Sequence, residues 1–148
     1  MSTTKVLLAD DDQDDRELFS EALASLNLDV VYTGVEDGKE ALDVLLIKDA
    51  RPSIIFLDIN MPVMSGWDVL RQLKNDLQYV DIPVIVYSTS SGQRERKTAF
   101  ELGALCFVTK PDNIRLIRGM LEIVLKNIRS NVVDSEMCHE IQRVLRGA

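Results

Sequence analysis

Five aspartates occupy six consecutive positions, residues 10–15, directly after the first apolar run of the chain at residues 6–9. Gln13 is the one interruption. Carboxylates held close together raise one another's pKa and cost free energy unless a cation compensates their charge. Mg²⁺ prefers a few carboxylate oxygens together with waters and a phosphate oxygen. The segment therefore predicts a site for a hard divalent cation.

Single polar or charged residues follow three later apolar runs. Asp58 ends the run at residues 54–57, Ser88 ends the run at 83–87, and Lys110 comes just after the run at 105–108. A carboxylate can attack a phosphoryl group, and an ammonium and a metal can stabilise the charge that develops on its oxygens. A serine hydroxyl can then hydrogen-bond the bound phosphoryl group. The residue types thus favour phosphoryl transfer to one of the carboxylates, assisted by a metal, an ammonium and the Ser88 hydroxyl.

Strand-like apolar runs alternate with segments of helical periodicity five times along the chain. The predicted strands are residues 6–9, 29–33, 54–57, 83–87 and 105–108. Such alternation with short connections predicts an α/β fold, a doubly wound five-stranded parallel sheet with helices on both faces. The run at 54–57 is the most apolar, so we expect it at the centre of the sheet. The polar residues above then meet at the carboxyl edge, where open sheets keep their sites.

Composition narrows the class of protein. The 148 residues suffice for one ordinary domain, with 24 acidic against 17 basic residues and a net charge of -7. An acidic balance argues against nucleic-acid binding as the main task. No apolar run approaches the roughly 20 residues of a membrane span, and the N-terminus has no signal-peptide pattern. These features predict a cytoplasmic protein that binds neither nucleic acid nor membrane.

Three local features carry more ordinary interpretations. Acidic residues before a helix usually cap it and complement its dipole, which is the reading we adopt for Asp14 and Asp15 and for much of Asp12. Cys106 lies in an apolar strand, so we expect a small core residue and no disulfide framework with Cys138. Residues 130–148 differ in character from the domain at 1–129. This C-terminal tail can form a short amphipathic helix that packs on the domain, mediates dimerisation or orders with a partner, and we expect it not to touch the site.

Four separated motifs together resemble the receiver domain of two-component response regulators. They are residues 6–12, 56–66, 83–88 and 107–111, in the family's order and spacing, and the resemblance covers about residues 4–129. It implies a CheY-like, flavodoxin-like sheet of order 2-1-3-4-5. It also implies a signalling protein rather than an enzyme with an external substrate.

The resemblance implies a role for each matching residue. Asp58 becomes the phosphoacceptor, and Mg²⁺, or Mn²⁺ in its place, is held by Asp10, Asp11, Asp58 and the backbone carbonyl of Asn60. Lys110 and Ser88 contact the phosphoryl group. Phe107 matches the switch aromatic, often a tyrosine in the family, and the bond from Lys110 to Pro111 is expected to be cis.

The resemblance also implies partners. A sensor histidine kinase or a histidine phosphotransfer protein supplies the phosphoryl group from a phosphohistidine, and the domain catalyses its own phosphorylation and dephosphorylation. Phosphorylation reshapes the surface of the fourth helix, fifth strand and fifth helix, which a downstream protein then binds. We expect a monomer or homodimer, and no output domain in the residues after the fifth helix.

Two other functions use similar residues. A phosphatase of the haloacid dehalogenase type also employs an aspartate nucleophile and Mg²⁺, but it needs a second aspartate two residues later, where this chain has Asn60. A flavin-binding flavodoxin-like module needs a phosphate-cradling Ser/Thr/Gly loop after the first strand. This chain has acidic residues there, which repel a phosphate without a metal.

Overall fold

The computed structural model of the protein describes residues 3–147, in which five strands and five helices alternate and a sixth helix follows. The strands are β1 (Thr4–Ala9), β2 (Val30–Val35), β3 (Ile54–Leu57), β4 (Val84–Ser88) and β5 (Cys106–Thr109). The helices are α1 (Gln13–Ala24), α2 (Gly38–Leu45), α3 (Gly66–Lys74), α4 (Gln93–Glu101), α5 (Ile114–Arg129) and α6 (Ser135–Arg146).

The strands form one parallel sheet in the order β2-β1-β3-β4-β5, which confirms the predicted fold class and the central place of the third strand. The register explains how the site is assembled. Ala9 pairs with Leu57, so the residues that follow them, Asp10 and Asp58, leave the sheet side by side. Ser88 pairs with Thr109, so Lys110 leaves the sheet beside the end of β4.

Each face of the sheet buries its own apolar cluster, because alternate residues of a strand point to opposite faces. One cluster joins the sheet to α1, α5 and α6, and at its centre the Phe19 ring lies 5.0 Å from the Phe56 ring and 5.8 Å from the Tyr87 ring. The other cluster joins the sheet to α2, α3 and α4. The strand ends are therefore held rigidly from both sides.

Side-chain caps begin four of the helices that follow the strands. Asp37 accepts a hydrogen bond from the Glu40 amide, as its spacing predicts, and α1, α3 and α5 begin in the same way at Asp12, Ser65 and Asn113. Helix α4 begins after Gly92 without such a cap. It ends at Glu101 before Gly103, whose φ of 102° suits a glycine at a helix end.

Strand β2 runs two residues further than predicted. Gly34 and Val35 pair with Leu8 and Ala9, so backbone hydrogen bonding to β1 continues past the expected end at Thr33. Its position at the edge of the sheet agrees with its less apolar sequence.

The expectation for the cysteines was wrong. Cys106 in β5 is a buried core residue, as predicted, but a disulfide joins it to Cys138 in α6, with the two Cα atoms 5.6 Å apart. The residues are 32 positions apart, and their pairing depends on α6 folding back onto β5 and α5. Met137 and Ile141 of α6 are buried in that contact.

Within residues 3–147, no helix combines the length and the apolar character needed to cross a membrane.

Candidate functional site

Three aspartates converge at the carboxyl edge of the sheet. Asp10 and Asp58 are buried and Asp11 is exposed, and one carboxylate oxygen from each lies within 4.8 Å of the others. The pairing of β1 with β3 produces this approach, because both loops leave the sheet at the same level. The predicted meeting of Asp10, Asp11 and Asp58 is therefore observed.

Lys110 places its ammonium among the carboxylates. Its Nζ lies 2.8 Å from Asp10 Oδ2, 2.8 Å from Asp15 Oδ2 and 3.3 Å from Asp58 Oδ2, and its side chain is 8% exposed. The Lys110 backbone N–H donates to the Ser88 carbonyl at 2.7 Å, which anchors the residue to the end of β4. The geometry brings together Lys110 and Asp58 as the sequence predicts.

Burial and ion pairing shift the pKa values of Asp10 and Lys110. Burial raises the pKa of Asp10 to about 6, although the hydrogen bond and charge of Lys110 act in the opposite direction. Burial by itself lowers the pKa of Lys110, but its bonds to Asp10 and Asp15 outweigh burial and leave that pKa raised. Asp10 Oδ2 is buried, and the Lys110 ammonium at 2.8 Å is its one polar partner among the described residues, at an angle that is poor for a hydrogen bond.

This donor set fits a divalent cation. The buried Asp10 Oδ2 has only the poorly aligned Lys110 ammonium as a polar partner among the described residues, and oxygens of Asp11 and Asp58 lie within 4.8 Å of an Asp10 carboxylate oxygen. One ammonium cannot neutralise all the carboxylates gathered here. A hard divalent cation can coordinate the carboxylate oxygens and also neutralise more of their charge, since it prefers oxygen ligands and supplies two positive charges.

Asp15 belongs to the site, which the sequence analysis missed. The capping interpretation is correct for Asp12, whose Oδ1 accepts from the Asp15 amide at 3.0 Å. The Asp15 carboxylate instead turns to Lys110 Nζ at 2.8 Å. No local signal separates Asp15 from Asp14, because only the packing of α1 beside the loop after β5 brings one of them to the ammonium.

Ser88 is fully buried at the end of β4. Its Oγ accepts a hydrogen bond from the Ser90 amide at 3.1 Å. Thr109 Oγ1 donates to the Ser90 carbonyl at 3.1 Å, so the loop after β4 is tied to β5. The Ser88 hydroxyl keeps its own proton for another acceptor.

The loop after β3 wraps closely around Asp58. The Asn60 amide lies 3.4 Å from Asp58 Oδ1, and the Gly66 amide donates to the Ile59 carbonyl at 2.8 Å. A Cβ on Gly66 would lie 2.1 Å from the Asp58 carbonyl oxygen, so the start of α3 reaches Asp58 because residue 66 has no side chain. The role of the Asn60 carbonyl as a metal ligand stays a prediction.

Phe107 is buried between α4 and α6. The guanidinium carbon of Arg96 lies 5.2 Å from the centre of its ring, a cation–π distance. The Phe107 carbonyl accepts from Gln142 Nε2 at 3.0 Å. Its assignment as a switch residue stays a prediction.

The expected cis bond before Pro111 was wrong. Throughout residues 3–147 every peptide bond is trans, including the one from Lys110 to Pro111. Trans is the ordinary preference before proline, by about 0.5–1 kcal/mol. With this bond trans, Lys110 Nζ still reaches all three carboxylates.

Comparison with known proteins agrees with this geometry. The profile of the response regulator receiver domain matches residues 6–122. A chemotaxis protein CheY homologue of Campylobacter jejuni is 32% identical over 121 residues, which cover 82% of this chain and 92% of that protein. The chain spans 28% and 50% of two longer relatives, a probable cyclic di-GMP phosphodiesterase of Vibrio cholerae and a probable transcriptional regulator of Porphyridium aerugineum.

Two solved structures share the fold closely. The Mn²⁺-bound form of the response regulator Rcp1 is 28% identical, with a TM-score of 0.76, covering 83% of this chain and 95% of that one. The phosphorylated cyanobacterial phytochrome response regulator RcpA is 30% identical, with a TM-score of 0.79, covering 88% and 96%. Together with the acidic pocket at the carboxyl edge of a 2-1-3-4-5 sheet, these matches show that the chain belongs to the family of response regulator receiver domains, the CheY-like signalling modules of two-component systems.

Proposed function

We propose that Asp58 is the residue that accepts a phosphoryl group in this receiver. The donor is a phosphohistidine on a sensor histidine kinase or a histidine phosphotransfer protein. The observation that carries the proposal is the position of the Lys110 ammonium, 3.3 Å from Asp58 Oδ2 and 2.8 Å from Asp10 Oδ2. A nucleophilic carboxylate beside a buried cation is the arrangement that phosphoryl transfer needs.

The metal of this reaction is Mg²⁺, with Mn²⁺ as a substitute, held by Asp10, Asp11, Asp58 and the Asn60 carbonyl. Support comes from the carboxylate oxygens of Asp10, Asp11 and Asp58, which lie within 4.8 Å of one another, and from the Mn²⁺-bound form of the similar regulator Rcp1. When bound, the ion supplies positive charge to the phosphoryl oxygens. It also removes the repulsion among the carboxylates.

Three side chains of the protein accept the phosphoryl group and contact its oxygens. Asp58 is nearly buried, so its carboxylate meets the donor with little competing water. Lys110 is held among three carboxylates, and its ammonium is close enough to Asp58 to pair with the oxygens of a phosphoryl group bound there. Ser88 Oγ accepts from Ser90, so its hydroxyl proton is available to the bound phosphoryl group. The same groups then support hydrolysis of the acyl phosphate by the domain itself.

The output is a changed protein-binding surface on α4, β5 and α5. Phe107 and Arg96, whose side chains stack between β5 and α4, connect that surface to the site. We propose that a downstream protein binds there, that the chain acts in the cytoplasm as a monomer or homodimer, and that it binds neither nucleic acid nor membrane.

Phosphorylation by a small donor tests the proposal. We expect Mg²⁺ with acetyl phosphate or phosphoramidate to add one phosphoryl group by intact mass, in a form that hydroxylamine removes. Asp58→Asn should abolish the adduct. Asp14→Asn, which removes an exposed charge from the same edge, should keep it. An adduct that persists in Asp58→Asn, or that forms equally well without Mg²⁺, would contradict the assignment.

A further inference from the structure

The two cysteines lie at a contact between elements far apart in the chain. Cys106 is in β5, next to Phe107, and is 1% exposed, whereas Cys138 lies in the second turn of α6 and is partly exposed. Their Cα separation of 5.6 Å falls in the usual range for a disulfide. The disulfide therefore links the strand that carries Phe107 to the last helix.

Other contacts hold α6 in the same place. Met137 and Ile141 are 1% and 0% exposed in the cluster shared with α5. Gln142 Nε2 donates to the Phe107 carbonyl at 3.0 Å. The alignment of the cysteines is thus supported by burial and hydrogen bonding that persist when the disulfide is absent.

In the reduced state the Cys138 thiol has a hydrogen-bond acceptor within reach. Cys138 Sγ lies 3.2 Å from the Leu105 carbonyl oxygen, which can accept from a free thiol. Reduction therefore leaves the Cys138 thiol with an acceptor. The two sulfurs must then move apart, because unbonded thiols cannot stay at bonding distance.

From this geometry we propose that Cys106 and Cys138 form a reversible thiol–disulfide site that links α6 covalently to β5 when it is oxidised. We call this pair of cysteines the clasp. The reacting partner is a disulfide, either a small molecule such as oxidised glutathione or a protein dithiol couple. The partly exposed Cys138 thiolate attacks one sulfur of that disulfide and releases one thiol. The Cys106 thiolate then displaces the second thiol, so the protein loses two thiol hydrogens and the partner disulfide becomes two thiols.

The clasp controls how readily α6 leaves the domain. In the disulfide form α6 is held covalently across β5 and α5, and in the dithiol form it stays packed there but opens locally more often while the rest of the sheet stays folded. The consequence for signalling rests on the proposed function, because β5 and α5 belong to the proposed output surface. In a reducing compartment an intracellular disulfide is usually transient or redox-sensing. Oxidation would therefore favour the state in which α6 covers β5 and α5.

Thiol titration tests the chemistry. The full chain is equilibrated with mixtures of reduced and oxidised glutathione, alkylated with N-ethylmaleimide under denaturing conditions so that the buried Cys106 reacts as well, and weighed intact. We expect a change from two alkylated cysteines to none as the oxidised fraction rises, in a protein that stays free of intermolecular disulfides. Two alkylated cysteines at every ratio, stable glutathione adducts at Cys138, or disulfide-linked dimers would overturn the proposal.

Amide hydrogen exchange tests the conformational effect. We expect amides of residues 135–146 to exchange on the order of tenfold faster in the dithiol form, because the covalent restraint on opening is lost. Cys138→Ser keeps a donor for the Leu105 carbonyl and should exchange at the dithiol rate under both conditions. Equal exchange in the two redox states of the wild-type chain would overturn the clasp.

Phosphorylation of Asp58 by acetyl phosphate is measured separately in each redox state. Failure of phosphorylation with an intact thiol transition would count against Asp58 as the phosphoacceptor and leave the clasp supported. A phosphorylated chain without the thiol transition would count against the clasp alone.

Discussion

Lys110 is the residue on which the charge balance of the site depends. Its ammonium lies within 3.3 Å of carboxylate oxygens of Asp10, Asp15 and Asp58. A phosphoryl group on Asp58 adds negative charge at the same point and competes with these partners. Asp15 is the most exposed of the three carboxylates and has no predicted role in metal binding. It is therefore the partner that Lys110 can release most easily.

We predict that Asp15→Asn raises the phosphorylated fraction at steady state by up to about fivefold. Partly exposed ion pairs contribute roughly 0.2–1 kcal/mol, and this variant removes that stabilisation from the unphosphorylated state alone. The phosphorylated fraction is measured by intact mass at fixed Mg²⁺ and acetyl phosphate. Asp14→Asn makes the same charge change on the exposed side of α1 and should have little effect. An unchanged or lower fraction in Asp15→Asn would show that Asp15 does not compete for the ammonium.

Val63 adopts a backbone conformation that disfavours its side chain. Its φ is 66°, in the left-handed region where a β-branched residue is strained, and the side chain is largely exposed. We predict that Val63→Asn raises the free energy of unfolding by about 1 kcal/mol, because asparagine tolerates this region and little packing is lost. Urea unfolding measures the change. Val132→Asn, at an exposed valine without a positive φ, is the control and should not stabilise.

At the scale of elements, α6 is an integral part of one face of the sheet. Met137 and Ile141 enter the cluster that also contains Phe19 and Tyr87. The disulfide to Cys106 and the hydrogen bond to the Phe107 carbonyl attach the same helix to β5. Changes in α6 should therefore affect the stability of the whole domain.

We predict that Ile141→Ala lowers the free energy of unfolding by about 2–5 kcal/mol under reducing conditions, because it leaves a cavity beneath α6. Val144→Ala, three residues later at a 38% exposed position, should cost less than about 1 kcal/mol. Both are measured by urea unfolding with excess reductant. Equal losses in the two variants would mean that α6 does not pack as the structure shows.

At the scale of the whole molecule, the aspartates at the carboxyl edge of the sheet make the free energy of unfolding depend on pH and on a bound metal ion. Asp10 has a pKa of about 6 in the folded protein against a reference of 3.8, so the fold favours its protonated form. The stabilisation from this group is complete below the unfolded pKa and is lost as pH rises through about 6. Without a divalent cation, Asp10 therefore destabilises the protein at neutral pH.

We predict that Mg²⁺ raises the melting temperature more at pH 7.5 than at pH 5. The ion binds deprotonated carboxylates, so at low pH it must first displace the proton that Asp10 retains. Thermal melts with and without Mg²⁺ at the two pH values measure the effect. In Asp10→Asn the Mg²⁺ shift should be small and nearly independent of pH. Equal shifts at both pH values in the wild-type protein would contradict the role of Asp10.

Sequence patterns alone predict the sheet, its central strand and most of the residues that meet at its carboxyl edge. Apolar runs and helical periodicity are local signals, and they predicted the alternation of strands and helices. Residues that directly follow parallel strands must meet at one edge. This rule predicts that Asp10, Asp58 and Lys110 lie close together, and the structure confirms their contact.

The tertiary structure alone decided the features that depend on distant segments. Asp15 rather than Asp14 reaches Lys110, because the docking of α1 sets which side chain faces the loop after β5. The disulfide depends on where α6 packs, 32 residues from its partner cysteine. Local sequence carries no signal for such contacts, since they arise from the packing of elements whose spacing along the chain is long.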